Sequence, residues 1–179
     1  MKNFTVPTIE QVSPESKTMF EAIQKRMAKV PNLYATMGYS PNALKAFMDL
    51  DATLSHGVFN GKQREAIALV VSEVNSCAYC LAGHTMAAIK NGLTVDETIE
   101  IRKGHAADEK LNAIVQLAKS IAENHGHSEE KYVDQFFAAG FDEAALMELI
   151  GFVTARVFTN YVFAVTAIPV DFPAAPALN

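Results

Sequence analysis

Three features of the sequence predict an all-α fold, a bundle of about eight helices. Capping residues and prolines recur at helix starts, apolar residues recur every three or four positions, and no alternating strand run or two-residue hairpin turn interrupts them. Ser13-Pro14 opens a first helix running to about Lys29, since a proline in the first turn lacks only an N–H that would be unpaired anyway. Pro31 closes it. Ser40-Pro41 opens a second helix to about Ser55, with Gly57 just beyond. "GKQREAIALVVSEV" makes a third over roughly 62–74, where Ile67, Val70, Val71 and Val74 share a face. "CAYCLAGHTMAAIK" makes a fourth, about 77–91, with Ser76 as N-cap and Gly92 past its end. Thr94 and Glu97 form a capping box for a short fifth helix that stops near Gly104. Asp108 starts a sixth, to about Asn124. Ser128 starts a seventh that stops at Gly140, and Asp142 starts a long eighth that Pro169 ends. The tail "DFPAAPALN" reads as extended, and the short connections imply antiparallel neighbours.

A faint internal echo links "NSCAYCLAGHTMAAI" with "FTNYVFAVTAI" through small residues and one aligned tyrosine. It suggests a duplicated half, although two unrelated apolar helices are the simpler account.

The 179 residues suit a single domain, 1–179, which should bury about 70% of its unfolded surface without staples. A hydrophobic share of 50% with 20% charged residues is that of an ordinary globular chain. The formal net charge of −5, with no basic stripe, argues against a nucleic-acid partner. The opening "MKNFTVPTIEQVSPES" carries no apolar signal region, so a cytoplasmic protein is expected. The run 144–168 is apolar, but Glu148, Arg156 and Asn160 interrupt it, which favours a buried or interface helix over a membrane span.

The chain's two cysteines, Cys77 and Cys80, lie in "NSCAYCLAGH", which ends on His84. At the first turn of a helix, Cys77 meets unpaired backbone N–H groups and the positive end of the helix dipole, both of which favour thiolate. Spacings of three and four then stack Cys80 and His84 along the same stripe. An imidazole there takes the Cys80 proton, directly or through a water, and Cys77 is close enough to resolve an oxidised Cys80 as a disulfide. Such a base needs a third group to orient it. Glu73 precedes Cys77 by four residues and is expected to face solvent. Glu65 precedes it by twelve, and an antiparallel pairing of the third and fourth helices would bring it to His84.

The run Glu65, eleven residues, Cys77, two residues, Cys80, three residues, His84 resembles the signature of the alkylhydroperoxidase AhpD-like family of the carboxymuconolactone decarboxylase superfamily. "REAIALVVSEVNSCAYCLAGHTMAAIKNGLTVDE" carries the resemblance, about a fifth of the chain. It implies an all-helical homo-oligomer, a trimer or hexamer, that reduces alkyl hydroperoxides or hydrogen peroxide in antioxidant defence. It implies no cofactor, because an external dithiol of lipoyl or thioredoxin type supplies the electrons. By the same resemblance Cys80 attacks peroxide, Cys77 resolves, and Glu65 with His84 moves the proton. Better-studied members have a second histidine just before the second cysteine, where this chain has Tyr79. Members that decarboxylate lactones typically lack the cysteine pair.

Two other readings stand beside this one. A thiol–disulfide oxidoreductase without peroxidase activity needs the same cysteines. A zinc-stabilised binding protein would use Cys77, Cys80 and His84 with Glu65, or draw on His56, His105, His125 and His127, although structural zinc sites usually take two ligand pairs from separate turns. Tyr79 is expected to pack at the rim of the site, and Arg156 and Asn160 to make structural or interface contacts.

Overall fold

A computed structural model describes residues 4–178. Among them are nine α-helices, one short 3-10 helix (Ile9–Gln11) and no strand: α1 (Pro14–Met27), α2 (Asn32–Met37), α3 (Pro41–Leu54), α4 (Gly61–Val74), α5 (Ala78–Lys90), α6 (Val95–Lys103), α7 (Glu109–Glu123), α8 (Glu130–Ala138) and α9 (Glu143–Thr166). The added helix is α2. Pro31 is its N-cap and not simply the stop of the helix before it, because α1 has already ended on Ala28 in the left-handed region at φ 62°.

Most of the expected caps are in place. Ser13, Ser40 and Asp108 accept from the third backbone N–H beyond them, and Thr94 forms its capping box with Glu97. Two starts differ. Ser76 does not cap α5. The turn after α4 is so tight that Ser76 takes φ 52° and Cys77 N donates back to Ser72 O, which leaves Cys77 as the N-cap. Ser128 does not cap α8 either. Its hydroxyl is bonded to Ser120 at 3.2 Å, and Glu129 stands at the cap position.

The fold is built around α4, which packs against α5, α6, α7 and α9. Every residue from Ala66 to Ser72 is buried, so the helix is covered on all sides and not along one stripe. One apolar cluster joins α4 to α7, α9 and Phe136 of α8. A second cluster joins α1, α2 and α3 to Cys77, Tyr79, Cys80 and Ala155, and the two meet along α9. Among the described residues α9 alone is long and apolar enough to cross a membrane, yet Leu149, Phe152, Val153, Arg156 and Asn160 are buried against the bundle.

Candidate active site

The turn at Ser76 folds α5 back along α4, so the first turns of α4 lie beside the later turns of α5. Glu65 and His84 therefore meet, with Oε2 2.7 Å from Nδ1. Glu73 is held elsewhere, bonded at 2.7 Å to the buried Arg102, and does not face solvent freely.

Cys80, His84 and Glu65 open onto one cavity of about 550 Å³, which has Leu33, Tyr34, Phe47, Phe152 and Phe172 among its walls. Cys77 does not line it. It is 2% exposed, lies behind Cys80, and accepts the Cys80 backbone N–H at 3.3 Å on its Sγ. The cysteines stand as free thiols of unequal acidity. Cys80 is lowered to about 6. The thiol of Cys77, hydrogen-bonded to Cys80, is the main cause. Burial opposes it, while the charge of His84 when protonated and hydrogen bonds from Asn160 and Thr159 add to it. Cys77 is pushed well above the usual thiol range by that same hydrogen bond and by burial. The helix start therefore does not make Cys77 the thiolate. Its sulfur caps the helix and its thiol is the weaker acid, which leaves Cys80, one turn along, as the more acidic of the two.

The opposite wall comes from α9 and α3. Arg156, expected to be structural, reaches the site. It is ion-paired with Asp51 of α3, and its Nη1 lies 3.4 Å from His84 Nε2. One turn along α9, Thr159 Oγ1 is 3.9 Å from Cys80 Sγ. Both ring nitrogens of His84 are thus engaged, by Glu65 and by Arg156, and no direct hydrogen bond joins His84 to Cys80. Asn160 makes the structural bonds expected of it, to Asn75 at 3.0 Å and to Ser72 at 3.2 Å.

Tyr79 is not at a rim. It is 3% exposed, and its hydroxyl accepts from Leu33 N at 3.1 Å while donating to Asp171 at 2.5 Å. Lys29 binds the same carboxylate at 2.8 Å, and Phe172 packs edge-on to the Tyr79 ring. Burial pushes the Tyr79 phenol up. Burial of Asp171 works the other way, but the Lys29 and Tyr79 hydrogen bonds hold it below the usual carboxylate range. Tyr79 thus ties the segment after α9 over one wall of the cavity.

Among the described residues no three His, Cys, Asp or Glu side chains converge as a metal-binding group, which counts against the zinc reading. His56 lines the cavity, whereas His105, His125 and His127 do not. Sequence reasoning missed Asp51 and Thr159 altogether. The signal available for Arg156 was a charged residue inside an apolar run.

Residues 41–123 match the carboxymuconolactone decarboxylase family. The uncharacterized protein YdfG of Bacillus subtilis (strain 168) is 36% identical over 55 residues, 31% of this chain, and the match spans only 37% of that protein's length. A solved structure described as an alkylhydroperoxidase AhpD core, an uncharacterized peroxidase-related protein from Ralstonia eutropha JMP134, superposes with a TM-score of 0.84 at 16% identity, covering 94% of this chain and 92% of that one. The debrominase Bmp8, in complex with 2,3,4-tribromopyrrole, superposes with a TM-score of 0.80 at 18% identity, covering 96% and 93%. At these identities the likeness to the solved structures is one of fold.

Proposed function

We propose that this chain, whose residues 41–123 match the carboxymuconolactone decarboxylase family and whose fold is that of an AhpD core, is a dithiol peroxidase reducing alkyl hydroperoxides or hydrogen peroxide. The observation that carries the reading is the asymmetry of the thiols. The acidic sulfur, Cys80, faces the cavity, and the protonated one, Cys77, waits behind it.

The Cys80 thiolate attacks one peroxide oxygen. The S–O bond forms, the O–O bond breaks, and the departing oxygen leaves as alcohol or water after taking a proton. The Cys77 sulfur then displaces hydroxide from the sulfenic acid, closing the disulfide and releasing water with the Cys77 proton. An external dithiol, lipoyl- or thioredoxin-type, returns two electrons and two protons. Glu65 orients His84, which carries protons across the cavity. The working compartment is the reducing cytosol, where such a dithiol persists.

Metal-stripped, reduced protein treated with one equivalent of peroxide should lose both thiols and two hydrogens in mass. Cys80→Ser should lose reactivity outright, and Cys77→Ser should react once and stall as the sulfenic acid. Thiols that survive peroxide but are oxidised by small disulfides would replace the reading with a thiol–disulfide oxidoreductase. Sulfenic acid on Cys77 instead of Cys80 would reverse the roles.

The cavity favours one second reading. Its volume of about 550 Å³ and its aromatic walls suit a substituted ring, and the structural neighbour Bmp8 is described as a debrominase. The same pair would then replace C–Br by C–H, releasing bromide and a proton and closing the disulfide. Bromide release from 2,3,4-tribromopyrrole, with peroxide inert, would select it.

A further inference from the structure

Arg156 is 7% exposed and its guanidinium points into the cavity between Asp51 and His84. A guanidinium only donates hydrogen bonds, so the His84 Nε2 that meets it at 3.4 Å carries a lone pair. A carboxylate only accepts, so the His84 Nδ1 that meets Glu65 at 2.7 Å carries the hydrogen. These two contacts are compatible with one state of the ring. We propose that Arg156, anchored by Asp51, is a positioning residue that holds His84 as the neutral Nδ1–H tautomer, with its Nε2 lone pair in the cavity.

The need for such a residue follows from the charges around the ring. From α4, Glu65 faces it, while the Arg64 guanidinium is engaged by the carbonyls of Ser55 and Phe59. From α3 and the turn beyond it come Asp51, already paired with Arg156, and His56. From α5 itself comes the acidic Cys80. Glu65 and Cys80 are the acidic groups beside the ring, Arg26 of α1 also lines the cavity, and Arg156 is the cation in contact with the imidazole. Arg156 therefore keeps hydrogen off Nε2 and leaves that lone pair facing the cavity. The value of this for turnover rests on the peroxidase reading, but the assignment of Arg156 does not.

The test is a nitrogen-15 spectrum of reduced, histidine-labelled protein at pH 7, with the His84 signals identified by their loss in His84→Asn. Wild type should show a neutral ring bearing hydrogen on Nδ1. Arg156→Met removes the donor facing Nε2, so the spectrum should lose the pure Nδ1–H signature and show hydrogen on Nε2. Arg156→Lys, which keeps a donating cation and guards against misfolding of the methionine variant, should restore the neutral Nδ1–H ring. An imidazolium or an Nε2–H tautomer in wild type overturns the proposal, and so does a ring left unchanged by Arg156→Met. None of these spectra involves peroxide, so inertness toward peroxide would remove the peroxidase reading without touching this result.

Discussion

The α4–α5 hairpin and α9 face each other across one cavity and equip it differently. The hairpin supplies groups that exchange protons and electrons: Glu65, Cys80 and His84. Helix α9 supplies polar groups that bias those, Arg156 donating toward His84 and Thr159 accepting the Cys80 thiol on its hydroxyl oxygen. The hairpin residues lie within twenty positions of one another, whereas the Arg156–His84 contact spans 72. Reactive chemistry is thus carried by a local unit, and its tuning by a distant helix that only the closed fold brings near.

Substitutions on the two sides should separate the roles. The largest effect belongs to the hairpin. Glu65→Gln keeps shape and one acceptor for His84 but removes the carboxylate, so peroxide turnover should fall by about 10²–10⁴-fold with helicity unchanged in circular dichroism. Full activity with an unchanged pH profile would take the Glu65–His84 pair out of the chemistry. Next comes the outer face of α9, where Met147, Ile150, Phe158, Tyr161 and Val165 are exposed along one stripe. We expect this stripe to join copies of the chain, and glutamate at both 161 and 165 should weaken assembly by well over tenfold in light scattering, since each charge would have to be desolvated. A wild-type protein that is monomeric at micromolar concentration defeats that expectation. The smallest effect is on the inner face. Cys80 should alkylate half-maximally near pH 6, and Thr159→Val, which removes a hydrogen bond that favours the thiolate, should move that midpoint up by about half a unit. A downward move would mean that Thr159 does not act on the thiolate.

The same division explains what the sequence made legible. Caps at Ser13, Ser40, Thr94, Asp108 and Asp142 mark helix starts by local hydrogen bonding, and a local rule needs no tertiary knowledge. The meeting of Glu65 and His84 needed just one further step, the antiparallel hairpin. Helix α2 was hidden because its six residues give no period and Pro31 serves as well for a start as for a stop. Ser76 lost its expected role to tertiary demand: a tight reversal needed a left-handed residue there, and the sulfur next to it could cap. Arg156 was visible as an oddity in an apolar helix, but its partners Asp51 and His84 lie 105 and 72 residues away, and no spacing rule reaches that far. Tyr79, placed between the cysteines, read as a packing residue because the carboxylate it holds, Asp171, lies 92 positions further on.

The capping sulfur also bears on redox poise. In the reduced protein Cys77 Sγ accepts the Cys80 backbone N–H and shares its proton with Cys80, and the shared proton stabilises the dithiol over the disulfide. Once that sulfur is bonded to its neighbour it gives up the proton it shared, and the hydrogen bond that favoured the Cys80 thiolate is gone. For a two-electron couple each ~1.4 kcal/mol by which the dithiol is favoured raises the reduction potential by roughly 30 mV, toward a more oxidising pair. Titration against glutathione should therefore find a couple that gives up its disulfide readily to a cellular dithiol.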